Sequence, residues 1–174
     1  MYTKRQGEQM NPTISEIELT TLQSENINEV VNLISLSMNS NEGRWAKNTI
    51  DFHFFCKQNN IDDGRKYFIA KLEGKIVGMS GLHNYQWGPE DITWLGWFAV
   101  LPQMQGKQIG LHLMNATIKA AKNLNYRKIF IETYSDDTFE RARKFYSKYG
   151  FKESGKIEGY INKETDMVVF SLDL

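Results

Sequence analysis

The chain has 174 residues, 41% of them hydrophobic and 24% charged, with 21 basic and 21 acidic side chains and no formal net charge. This length supports one domain with a sizeable core, and the proportions exclude a disordered, collagen-like or disulfide-stapled chain. A nucleic-acid binder carries a basic excess that is absent here, and the lone cysteine, Cys56, is expected as a packed core thiol in a reducing, cytoplasmic setting.

Residues 1–12 are polar and read as a flexible tail, with residues 13–174 as a single domain. Lys4 and Arg5 are followed by no apolar run, so no secretory signal is expected. The most apolar stretch, Trp94 to Leu101, is far shorter than the roughly 20 residues of a membrane helix. Alternation over Ile14–Leu19 predicts a first strand. Ser24 is set to cap a helix running through Val30, Val31, Ile34 and Met38, and a second helix is predicted over Ala46–Gln58, followed by a loop to Gly64. Tyr67–Leu72 and Ile76–Leu82 read as strands joined by a Glu73-Gly74 hairpin. Gly88-Pro89-Glu90 breaks the chain before Ile92–Val100, a strand apolar on both faces and therefore central.

The next helix, Gln108–Asn123, carries Ile109, Leu113, Ala116, Ala120 and Leu124 on one stripe. A strand over Lys128–Thr133 leads to a helix over Thr138–Lys148, on which Ala142, Phe145, Tyr146 and Tyr149 share a face. Phe151–Ile157 and Met167–Leu172 give the last two strands. The order β-α-α-β-β-β-α-β-α-β-β predicts an α/β domain with a mixed central sheet flanked by helices.

Chemistry concentrates where the central strand runs into Gln105-Gly106-Lys107-Gln108-Ile109-Gly110-Leu111. A strand opening through glycines into a helix brings free backbone N–H groups and a partial positive charge together, which suits a pyrophosphate. Lys107 adds a full charge. Neither a P-loop nor a G-x-G-x-x-G dinucleotide fingerprint is present. Three scattered histidines and one cysteine give no metal-ligand spacing.

This segment resembles the R/Q-x-x-G-x-G/A motif of the GNAT-type N-acetyltransferases. Phe98-Ala99-Val100-Leu101-Pro102 before it is similar to the end of that family's fourth strand, and Ala142-Arg-Lys-Phe-Tyr146-Ser-Lys-Tyr-Gly150-Phe151 to its A-x-x-F/L-Y-x-x-x-G-F signature. The resemblance spans residues 92–152. It implies the GNAT acyl-CoA N-acyltransferase fold and direct transfer from acetyl-CoA to a primary amine of a small molecule, such as an amino acid, or of a peptide. A fold that binds acyl-CoA without catalysis is the alternative. A homodimer would be ordinary.

By the resemblance, Phe98, Ala99 and Val100 hold the pantetheine arm and Gln105, Gly106, Lys107, Gln108, Ile109, Gly110 and Leu111 hold the pyrophosphate. Tyr146 protonates the departing thiolate and Glu132 is the first candidate for the base, with Glu90, Asp91 and His83 acting through water as alternatives. The sequence departs from the family pattern at three points. Gln108 replaces the first motif glycine, Phe139 stands where an asparagine is frequent, and Gly96 and Trp97 stand where many members carry a strand-four glutamate. The acceptor pocket is expected from the first two helices and the last hairpin, with Glu42, Asp51, Asp62, Asp63 and Glu158 able to recognise a cationic amine. At least one of Trp87, Trp94 and Trp97 is expected beside it.

Overall fold

A computed structural model describes residues 17–174. The predicted tail and the start of the predicted first strand therefore lie outside the described residues. Seven strands form one sheet in the order β1-β2-β3-β4-β5-β7-β6. They are β1 (Ile17–Thr21), β2 (Arg65–Leu72), β3 (Lys75–His83), β4 (Ile92–Val100), β5 (Lys128–Tyr134), β6 (Lys152–Asn162) and β7 (Thr165–Asp173). The helices are α1 (Ile27–Ser37), α2 (Ser40–Gln58), α3 (Ile109–Asn123) and α4 (Glu140–Tyr149). No helix among the described residues is long and apolar enough to cross a membrane.

Every adjacent strand pair is antiparallel except β4–β5, which is parallel. The doubly apolar β4 lies mid-sheet, as its pattern requires. One core packs α1 and α2 on the sheet through Val30, Leu33, Ile34, Ala46, Ile50 and Phe54. A second packs α3 and α4 through Met114, Ile118, Ala121 and Tyr146 against Leu95, Ile131 and Phe170. Cys56 is buried, as expected of a core thiol.

Two helices differ from their sequence reading. Ser24 caps nothing; it opens a 3-10 turn, and α1 begins after Asn26. α2 starts six residues before the predicted Ala46, at Ser40, because Asn39 caps it: its side-chain oxygen accepts from the Asn41 and Glu42 N–H groups at 3.0 Å each. This first turn is polar, so no apolar period announces it. Gly43 within it lets the two helices meet, since a Cβ there would lie 1.8 Å from Ser35 Oγ.

The α3 stripe is rotated from its predicted centre. Ile109, Leu113, Met114, Thr117, Ile118 and Ala121 are buried, whereas Leu124 is exposed. A buried hydrogen bond between the Thr117 and Ser80 hydroxyls (2.6 Å) turns this face to β3. β6 is the opposite extreme, an edge strand with all eleven residues exposed and two breaks in its register with β7.

Helix α3 presses on β3 at Gly78, where a Cβ would meet Leu113 Cδ1 at 2.8 Å and the Ala99 carbonyl at 3.1 Å. Gly78→Ala is expected to cost about 1–3 kcal/mol by overpacking, a fall in Tm of roughly 2–12 °C for a domain of this size. An unchanged Tm in a thermal melt would show that α3 does not sit this close.

Candidate functional site

β4 and β5 pair only through Ile92–Lys128, Thr93–Ile129 and Trp94–Phe130, and then separate. A bulge in β4 accompanies the separation. Met79 faces Ala99 and Gly81 faces Gly96, so Trp97 and Phe98 together oppose Ser80. Trp97 takes a φ of +35°, a conformation that costs a non-glycine residue about 1–3 kcal/mol. Its indole N–H donates to Thr49 Oγ1 on α2 at 2.7 Å, which fixes the bulge. Past this point the β4 edge turned towards β5 has no strand partner. A cavity of about 710 Å³ occupies the gap, lined among others by Leu95 to Val100 and Ile131 to Tyr134.

Gly96 is bare because His83 fills its space: a Cβ there would stand 2.2 Å from His83 Nε2. That nitrogen is also hydrogen-bonded to the Tyr67 hydroxyl at 3.0 Å. Burial, helped by the Arg65 charge, lowers the His83 pKa to about 3, so the imidazole is neutral at physiological pH.

At one end of the cavity α3 begins at Gln108, whose φ of +63° is left-handed and whose side chain makes no cap. The N–H groups of Ile109, Gly110 and Leu111 are thereby free of intrahelical partners and directed out of the helix end. The family pattern has glycine at position 108 because this backbone conformation favours it. The preceding loop is clamped by Gln105. Its amide donates to the Val100 carbonyl (3.1 Å) and accepts from Arg141 Nη1 (2.7 Å), tying β4 to α4. Ser37 Oγ donates to the same carbonyl at 3.0 Å. Gly110 offers space, since a Cβ would find only Phe98, Val100 and Phe145 atoms at 3.6–3.9 Å.

A split between parallel central strands, with a helix N-terminus opening at its end, agrees with the comparison with known sequences: a model of the acetyltransferase (GNAT) family matches residues 28–151. The chain belongs to the GNAT acetyltransferase family. Solved structures share the fold at low identity. A GNAT-family protein from Desulfovibrio desulfuricans superposes with a TM-score of 0.81 at 17% identity, over 90% of this chain and 98% of its own. A GNAT family acetyltransferase from Elizabethkingia anophelis with acetyl-CoA bound gives 0.69 at 23% identity, over 91% and 99%. The ribosomal-protein-S18-alanine N-acetyltransferase of Escherichia coli gives 0.70 at 16%, over 90% and 93%. No functionally curated protein matches in sequence.

Within this GNAT chain the expected residues largely converge. Phe98, Ala99, Val100, Gln105, Gly106, Gln108, Gly110, Leu111, Glu132 and Tyr146 all line the cavity. Lys107 and Ile109 do not. Ile109 is turned into the core, leaving only its backbone for a ligand, and Lys107 leans on Met104 Sδ at 3.8 Å. Of the alternative bases, Asp91 forms an exposed ion pair with Arg127 away from the cavity, and Glu90 is also exposed. Trp94 and Trp97 line the cavity, whereas Trp87 is 85% exposed. The last hairpin supplies none of the lining residues; α1, the residue that follows it and α2 supply Ser37, Met38, Glu42, Trp45 and Thr49.

Tyr146 is buried among Phe98, Phe145, Phe151 and Phe170. Burial alone, with no offsetting charge, pushes its phenol above the ordinary range, so it holds its proton firmly. Glu132 is accessible from the cavity, yet the walls around it desolvate its carboxyl and raise its pKa.

Of the five carboxylates expected to recognise a cationic amine, Glu42 alone lines the cavity. It is 6% exposed, lines the same cavity, and has a pKa raised to about 7 by burial first and then by Glu132 and Asp136. Only the asparagine cap at Asn39 signals the helical turn that carries it. A carboxyl raised in the fold costs nothing when protonated and destabilises once ionised. That cost is absent below about pH 4.5, grows from there to pH 7, and is full above it. Glu42→Gln is therefore expected to raise Tm at pH 8 and to change it little at pH 4.5. A Tm difference of equal size at both values would overturn this assignment.

Proposed function

We propose that this GNAT acetyltransferase transfers an acetyl group from acetyl-CoA to a primary amine. The observation that carries the reading is the β4–β5 split, which leaves β4 from Leu95 to Val100 without a partner on the cavity side and ends at the uncapped start of α3. The residues fit acetyl-CoA. Free β4 backbone groups suit the amides of a pantetheine arm, and the N–H groups of residues 109–111, beside Gly106 and Gly110, suit a pyrophosphate. When bound, acetyl-CoA supplies an acetyl group activated as a thioester. Glu132 accepts the proton that the ammonium must lose before its nitrogen can attack. Tyr146 gives a proton to the sulfur as the C–S bond breaks and the C–N bond forms, and the second proton shed by the nitrogen returns to the phenol through water, leaving an acetamide and a free thiol. A carboxyl raised by desolvation and a phenol kept protonated by burial suit these two tasks.

Acetyl-CoA at 100 times its Kd is expected to stabilise the fold by about 2.7 kcal/mol, a rise of roughly 5–11 °C in Tm. Gly110→Trp should fold and lose this shift, because the indole fills the space at the helix start. A folded Gly110→Trp that keeps the shift would place the donor elsewhere.

Tyr146→Phe retains the ring and removes the proton. Its kcat is expected to fall by about 10²–10⁴ with acetyl-CoA affinity held, the deficit shrinking for a donor with a more acidic thiol. Equal kcat for the two enzymes under chemistry-limited conditions would return Tyr146 to the core. Donor binding without turnover on any amine would mark the chain as a binding module instead.

A further inference from the structure

The acceptor half of the cavity has a charge problem that one ammonium does not solve. Glu42 enters it from α2 and Glu132 from β5, and Asp136, just after β5, adds its field to Glu42. The nearby cations are committed elsewhere. Arg65 pairs with Asp63 at 3.0 Å, and Asp63 also holds His53 at 2.8 Å. Arg141 is bound to Gln105 at the helix-start loop. Arg143 donates to the backbone carbonyls of Tyr134 and Asp136. His83 is neutral. Glu42 is more than nine-tenths buried, so it ionises at a cost unless a cation comes to it.

A separate observation also points to a ligand. Thr133, 3% exposed and lining the cavity, has its hydroxyl Oγ1 buried without a hydrogen-bond partner. Much of the wall is aromatic, with Trp45, Tyr85, Trp94, Trp97, Tyr134 and Phe139 lining the space. Such faces hold methylene chains by apolar contact and ammonium groups by cation–π attraction. A polyhydroxylated amino sugar would need several free hydrogen-bonding side chains, and of the polar lining Thr49 and His83 are already bonded to Trp97 and Tyr67.

Resting on the acetyl-transfer reading above, we infer that the acceptor is an aliphatic di- or polyamine, one nitrogen being acetylated while Glu42, with Asp136 behind it, holds a second ammonium. Of the carboxylates, Glu42 and Glu132 line the cavity and, ionised, meet two ammonium groups, while the Asp136 charge adds to the field from outside the lining. When the reacting nitrogen gives a proton to Glu132, the Glu42 carboxylate and one ammonium remain paired. Glu42 is in this scheme a binding group that makes the second charge a condition of tight binding.

The test is calorimetric titration of the full chain with CoA present, using 1,4-diaminobutane, spermidine, 1-aminobutane, an aminoglycoside and a lysine-containing peptide. The diamine and triamine are expected to bind at least about tenfold tighter than 1-aminobutane, the worth of one charge-assisted hydrogen bond. Glu42→Gln, with folding checked by its melt, should remove most of that difference. Asp136→Asn should reduce it while keeping the cap on the Thr138 N–H, which the Asp136 side chain accepts at 2.9 Å. Equal affinity for mono- and diamine, a difference that survives in folded Glu42→Gln, or tighter binding of the aminoglycoside or peptide would each overturn the inference. The acetyl-transfer reading fails separately. A diamine that binds selectively and is never acetylated sinks that reading alone, whereas monoamines bound and acetylated as well as diamines sink only the inference.

Discussion

Three residue pairs hold the two halves of the sheet together, and everything at the site depends on their being only three. β4 pairs with β3 on either side of its bulge and β5 pairs with β7 along its whole length, so both strands stay in the sheet where they part from each other. Continued pairing would close the sheet and leave no cavity. The bulge at Trp97 and Phe98 prevents it, and the Trp97–Thr49 hydrogen bond keeps the bulge in place from the α2 side. Unpaired backbone donors and acceptors beside a cavity are costly unless something meets them. The chain thus presents a row of backbone groups along the cavity that water or an extended ligand can meet.

The electrostatics of the site show a second economy. A chain with no net charge has little long-range field to draw in a substrate, so selectivity must come from local arrangement. The carboxylates are gathered on one side of the cavity and the open helix start lies at the other. Arg65 and Arg141 also line it: Arg65 is ion-paired with Asp63, whereas Arg141 keeps its charge and is held by a hydrogen bond to Gln105 near the helix start.

Much of this was legible in advance because the informative residues act through the backbone. β4 is bounded as its apolar run predicts, from Ile92 to Val100. Gly106, Gln108 and Gly110 mark the loop because conformation and clearance are written into residue type. Tyr146 stands out through its spacing from Gly150, which ends α4 at a φ of +117°. Glu42 was one of five candidate carboxylates, and what singles it out was hidden: its burial within the field of Glu132 arises only when segments 90 positions apart are folded together. Thr133 was hidden likewise: a threonine in a strand is ordinary until its hydroxyl is found without a partner. The rotation of α3 was set by a hydrogen bond between Ser80 and Thr117, a polar pair that an apolar stripe cannot register.

The edge strand β6 carries a consequence for how the protein behaves in crowded solution. Its outer side presents unpaired backbone groups, with Ile157, Tyr160 and Ile161 exposed among Lys152, Glu153, Lys156 and Glu158. A molecule near electrical neutrality lacks the mutual repulsion that keeps like proteins apart. The burden of colloidal stability therefore falls on these few local charges and on the two register breaks that twist the edge away from a flat template. Lys156 is partly committed already to Asp166, at 2.6 Å. Salt that screens the charges of β6 removes the main electrostatic obstacle to edge-to-edge association at this strand.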